Sequence, residues 1–187
     1  MFEYFDQLET AWTNPHLVQV GVSPRLVQNF RFSLMLLTAI GSGLAAGIFF
    51  AFSTFVMKAL AQQPPAQGIA TMQSINITVI NPWFMMAFLG TAAASTLLTI
   101  SLLLQWHQPG AVYWLAGTLL YLIGTIGVTF ACNIPLNDAL AIVTPNSTEA
   151  TTLWARFLTD WTFWNHVRTV AAFLAAMLFT ISLCVRY

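Results

Sequence analysis

The sequence predicts an all-α fold: a four-transmembrane-helix bundle with short interfacial helices in the first and third loops. Three observations lead there. First, 58% of the 187 residues are hydrophobic, with only six basic and six acidic side chains, too little charge to cover a soluble surface. Second, four apolar runs are each long enough to cross a hydrocarbon core of about 30 Å. Third, proline-bearing and polar segments separate those runs. The formal net charge is zero and no basic stripe is present, which argues against nucleic acid as a partner. The expected surroundings are membrane lipid, with a further membrane protein or a second copy of the chain as a candidate partner.

The segment 1–32 is polar and aromatic, carries Pro15 and Pro24, and reads as an interfacial arm ahead of a membrane domain over 33–187. Glu3, Asp6 and Glu9 stand where a secretory leader would need basic and then apolar residues, so no cleavable signal peptide is expected. The first span is Ser33 to Met57. Within it Ala39, Gly43, Gly47 and Ala51 recur every fourth residue, a small-residue seam of the kind that lets a second backbone come close. Pro64 and Pro65 then break the helix.

From Gln67 to Ile80 apolar and polar residues mix, as in a short helix at the interface. Asn81-Pro82 is a start signal, with Asn as N-cap and Pro at the first helical position. The second span follows from about Trp83 to Leu104. A tight connection, Gln105 to Gly110, leads to the third span, Ala111 to Ala131, with Gly117, Gly124 and Gly127 as close-packing positions. Pro135 is expected to stop that helix. Thr148 to Asp160 reads as an amphipathic helix with Leu153, Trp154, Phe157 and Leu158 on its apolar side, and the fourth span is Trp164 to Val185.

Four crossings put both chain ends on one side and bring the loops 58–82 and 132–163 together on the other. The positive-inside rule sets Arg25, Arg31 and Arg186 against Lys58, Arg156 and Arg168; we place the termini on the cytoplasmic side of an integral, multi-pass protein. Cys132 and Cys184 fall near opposite faces, too far apart for a disulfide. His16 and His107 fall on the terminal side and His166 on the other. Neither Cys-x-x-Cys, Glu-x-x-His nor paired histidines at helical spacing occurs, so no metal site is expected. No cofactor is expected either, with a haem on a single axial His166 as the alternative.

Function converges on Trp161-Thr162-Phe163-Trp164-Asn165-His166-Val167-Arg168, because ionisable groups at membrane depth are costly unless paired. At about 100° per residue Trp161, Trp164, Asn165 and Arg168 share one sector, while His166 and Arg168 stand about 160° apart, so one of the two braces neighbouring loops. Arginine does not give up its proton at ordinary pH, which leaves His166 as the candidate base. Asn133, Asn137 and Asn165 are candidate hydrogen-bond donors. Trp161, Trp164, Phe49, Phe52, Asn76 and Asn81 are candidate substrate contacts. Arg168 is expected to be structural, in an ion pair with Asp138 or Asp160 or bound to loop carbonyls. A plainer account has the same side chains capping helices and satisfying loop backbone.

The blocks Ile48 to Met57, Gly68 to Asn76 with Asn81-Pro82, Asn133-Ile134-Pro135-Leu136-Asn137 and Trp161 to Arg168 resemble, in order and spacing, the anthrone-oxygenase-like family of small membrane proteins. That resemblance covers about residues 35 to 185. It implies a four-helix membrane bundle and, in some fungal members, oxygenation of anthrones to anthraquinones without metal or flavin. The chemistry would require a base, an oxyanion site and an apolar pocket for a hydrophobic aromatic molecule, filled here by His166, the asparagines and the aromatic residues. The competing class is a non-enzymatic membrane subunit or a scaffold that binds lipid or pigment.

Overall fold

A computed structural model describes residues 23–103 and 109–186. Its described residues are helical with no strand, and four helices are long and apolar enough to cross a membrane. The protein is therefore an all-α, multi-pass membrane protein, as its composition requires. The expected arm over 1–32 lies outside the described residues up to residue 22; from Pro24 onward it is already the first membrane helix.

Helix α1 begins as Pro24–Ala51, widens to π-helix over Phe52–Val56 and ends as Met57–Ala61. Pro64 and Pro65 end it, and α2 follows as Pro65–Thr78. Asn81 caps α3, Pro82–Leu103: the Phe84 amide donates to Asn81 Oδ1 at 3.0 Å. Gly110 adopts φ 77° and opens α4. That helix runs as Ala111–Leu119, widens over Leu120–Gly127 and again over Thr129–Asn133, and ends as Ile134–Ala141. Helix α5 is one rod, Thr148–Arg186.

Besides the earlier start of α1, two boundaries differ from those drawn above, for one physical reason each. Pro135 does not stop α4. The widened turn just before it absorbs the missing donor, and the Ile134 amide bonds back five residues to the Thr129 carbonyl. Nor is the third-loop helix separate from the fourth span. Residues Asp160 to Trp164 contain no proline or glycine, and the inward stripe Trp154, Phe157, Trp161, Asn165, Arg168 continues without a phase break.

At 1.5 Å per residue α5 is about 58 Å long, nearly twice the hydrocarbon thickness. Its first part therefore belongs to a cap outside the bundle. Two cores result. The bundle core is built from Met35, Phe49, Phe88, Leu98, Trp114, Tyr121 and Phe179; the cap core from Met57, Leu60, Ile69, Met72, Leu140, Trp154, Phe157 and Trp161. Gln73 ties α2 to the end of α4 by donating to the Leu140 and Val143 carbonyls at 2.8 and 3.0 Å. At the other end Ser182 Oγ donates to the Gly110 carbonyl at 3.1 Å.

Candidate functional site

Where the two cores meet, α5 turns Asn165 and Arg168 inward. Asn165 and Asn133 are fully buried, and Arg168 is 5% exposed. Asn165 Nδ2 donates to the Phe49 carbonyl at 2.7 Å and to Ser53 Oγ at 2.8 Å. Its Oδ1 accepts Arg168 Nη2 at 2.8 Å.

Proton counting orients the rest. Thr169 spends its one hydroxyl proton on the Asn165 carbonyl at 2.8 Å, so in the 3.0 Å contact between Ser53 and Thr169 it is Ser53 that donates. Asn165, Ser53 and Thr169 thus close a hydrogen-bonded ring around the point where α1 changes to π-helix. A widened turn shifts carbonyls out of the regular i→i−4 ladder, and a side-chain amide is well suited to such a carbonyl.

Arg168 completes the site from the same side. Nη1 donates to Thr129 Oγ1 at 3.2 Å, and the guanidinium carbon lies 4.4 Å from the centre of the Phe49 ring and 5.2 Å from that of Trp161. Its Nε has no partner. Among the described residues no carboxylate pairs with Arg168; the ion pair present is the exposed Arg156 with Asp160 at 3.9 Å. The expected Arg168 pairing with Asp138 or Asp160 is therefore replaced by Asn165, Thr129 and two aromatic faces, because Asp138 is exposed and Asp160 is turned to its own helix neighbour.

Asn133 Nδ2 donates to the Trp161 carbonyl at 3.2 Å, while Asn133 Oδ1, Asn137 Oδ1 and Trp161 Nε1 are buried without partners. Asn133 sits at the end of the second widened stretch of α4 as Ser53 sits inside that of α1. The π-helical break of α1 thus meets α5 at Asn165 and Thr169, and the stretch Thr129–Asn133 of α4 meets it at Arg168 and Trp161.

Of the other residues singled out by sequence, Phe52 packs on Trp161 at 5.7 Å, and Trp161 stacks on Phe157 at 5.8 Å. Trp164 stands edge-on to Phe163 at 5.2 Å and lines a cleft of about 510 Å³ with Cys132, Pro135 and Asp160. Asn81 is occupied as a helix cap, and Asn76 lies on α2 with no hydrogen bond of its side chain. His166 is exposed and joins no hydrogen bond or ion pair among the described residues. Of the two residues 160° apart, Arg168 faces in and His166 faces out. Cys132 and Cys184 are free thiols, and among the described residues no three His, Cys, Asp or Glu side chains converge.

Sequence reasoning missed Ser53, Thr129 and Thr169. Ser53 was recoverable, since it lies four residues after Phe49 on the same face of α1. Thr129 carried no signal, being one of several threonines on α4.

Fold and site together define a polytopic helical membrane protein with a guanidinium–carboxamide network buried between bundle and cap. The family model described as anthrone oxygenase matches residues 83–178, and the chain belongs to that family. The matched block runs from α3 through most of α5 and contains Thr129, Asn133, Asn165 and Arg168, whereas α1 and α2 precede it. No curated protein and no solved structure matches the chain.

Proposed function

We propose that this chain is a cofactor-independent, oxygenase-type membrane protein acting with dioxygen on an anthrone-type or other activated aromatic substrate, and that Arg168 stabilises the substrate enolate. The observation that carries the reading is the Arg168 guanidinium, buried, without a carboxylate among the described residues, and with Nε unpartnered. A desolvated cation without a counter-ion is costly, and an anionic ligand oxygen relieves that cost. Relief is greater for an enolate than for the neutral ketone, so the interaction favours the reacting form over the resting one. Family membership supports this class of reaction.

The step balances without an external reductant. A proton leaves the methylene carbon between the aryl rings, and the resulting enolate transfers an electron to dioxygen. The radical pair combines to form a C–O bond, the peroxide anion takes a proton back from water to become the hydroperoxide, and loss of water from it leaves a second carbonyl. In sum CH2 and O2 become C=O and H2O: four electrons leave the carbon, and the two oxygen atoms end in the carbonyl and in water. Arg168 favours the anion, and the proton passes to water at the membrane face, with His166 as the nearby imidazole on the exposed shoulder. With the chain ends on the cytoplasmic side, as we propose from Arg25 and Arg31, the cap and this site stand towards the opposite face.

The test is anthrone consumption under air by the purified protein in lipid nanodiscs, followed as anthraquinone absorbance. Arg168→Gln should lower the rate above the spontaneous background by roughly 10²- to 10³-fold, the scale of losing one oxyanion donor. A parent protein that never exceeds the background rate refutes the oxygenase reading and leaves the scaffold.

A further inference from the structure

Between α1 and α5, on the side facing lipid, runs a groove of about 820 Å³ whose walls include Gly43, Gly47, Phe50, Thr169, Phe173 and Met177. It is no packing defect between the two helices. A Cβ added at Gly43 or Gly47 would meet nothing within 4 Å, whereas one at Gly124 would fall 2.6 Å from the Ala171 Cβ. The glycines of α4 let a helix approach; those of α1 leave room.

The groove is mostly apolar and reaches Thr169, a member of the hydrogen-bonded ring around Asn165. Thr169 Oγ1 gives its proton to the Asn165 carbonyl and accepts from Ser53, which leaves it one lone pair. That atom can accept a hydrogen bond but has none to give. From it the path Thr169–Ser53–Asn165–Arg168 takes three contacts of 3.0, 2.8 and 2.8 Å to reach the guanidinium.

We infer that this groove is a lateral docking site for an apolar aromatic ring system bearing a hydroxyl, which arrives from the bilayer and stops against Thr169 before moving in to Arg168. The volume, the flanking Phe50 and Phe173 rings and the Thr169 acceptor beside the buried network match such a molecule: aromatic faces for its rings, a lone pair for its hydroxyl, with the Thr180 hydroxyl at the other end bonded to the Ala176 carbonyl and outside that network. An acyl chain would leave the acceptor unused. The inference deepens the enolate reading above and rests on it for the substrate's onward path, but the docking itself can be read without turnover.

The experiment uses 2-hydroxyanthraquinone as a photolabel in nanodiscs, since its excited carbonyl attacks neighbouring C–H bonds, with adducts located by mass spectrometry. Labelling is expected on the groove walls around Val170 to Met177 and should fall at least tenfold in Gly47→Leu and in Gly43→Leu. Both fill the groove where no atom stands, so their thermal unfolding should match the parent. Labelling that is undiminished in both variants, or confined to the Cys132 and Trp164 cleft, overturns the inference. So does a dimer of the parent in nanodiscs that either variant abolishes, since a second copy would then be the occupant. If labelling behaves as expected and anthrone is not turned over, the docking site stands and the oxygenase reading falls.

Discussion

At the scale of single residues, Asn165 and Arg168 divide the work. Asn165 is spent on the protein itself: three of its four hydrogen-bonding positions go to the Phe49 carbonyl, Ser53 and Arg168. Replacing it with leucine strands several buried partners, each worth about 1–3 kcal/mol. Asn165→Leu should therefore be among the most destabilising substitutions, seen as a large drop in unfolding temperature in detergent. Arg168 still has an unfilled donor after its structural contacts, so its variants should separate stability from turnover. Arg168→Lys keeps the charge but loses the fork that reaches Asn165 and Thr129 together. It should unfold below the parent temperature, though by less than Asn165→Leu, and lose most of the turnover of the parent. His166→Gln should cost less than the roughly 10²-fold that a general base contributes, because the imidazole stands outside the network. A larger loss for His166→Gln than for Arg168→Gln in the same assay would move the chemistry to the exposed shoulder.

At the scale of elements, what was legible in the sequence was whatever acts locally. The Asn81-Pro82 start signal is written in adjacent residues, and the structure supplies the cap bond it implies. Asn81→Ala should cost about 1 kcal/mol, the usual worth of such a cap, as a modest shift in detergent unfolding without loss of turnover. The small-residue positions Gly117 and Gly124 were also legible and do meet α5 closely. The same pattern at Gly43 and Gly47 borders open groove, because glycine spacing reports room for an approach and not whether a helix fills it. The π-helical stretches were not legible. Nothing in Phe52–Val56 or Thr129–Asn133 departs from helical composition, and the widening there accompanies partners that lie far along the chain. The misplaced stop at Pro135 has the same origin. Proline forbids a regular turn, but a widened turn before it lets the rod go on.

At the scale of the molecule, helices longer than the bilayer explain why the polar cluster is buried. A fourth span beginning at Trp164 would have left Asn165 and Arg168 at a wet mouth. Running α5 back to Thr148 instead stacks Trp154, Phe157 and Trp161 above them, and α2 and the end of α4 complete the roof. The sequence signalled four crossings through hydropathy alone, but the roof depends on contacts between segments far apart in the chain, such as Gln73 with Leu140 and Val143, which no local pattern encodes.

Parity of the crossings gives the last prediction. With the rods Arg25–Ala61, Pro82–Leu102, Ala111–Ala141 and Glu149–Val185 each crossing once, Ser23 and Pro109 must lie on one side of the membrane and Gln63 and Asn146 on the other. All four side chains are exposed, so none of the substitutions disturbs a core. In a background with Cys132→Ala and Cys184→Ala, single cysteines at these positions should react in two classes with a membrane-impermeant maleimide applied to sealed vesicles of one orientation. Ser23→Cys and Pro109→Cys should label together, and Gln63→Cys and Asn146→Cys should label only from the opposite side. Labelling of Gln63→Cys and Pro109→Cys from the same side would mean that α3 does not cross. The bond from Arg31 Nε to Ser101 Oγ at 2.6 Å would then join helices at different depths, which rigid rods of this length do not allow.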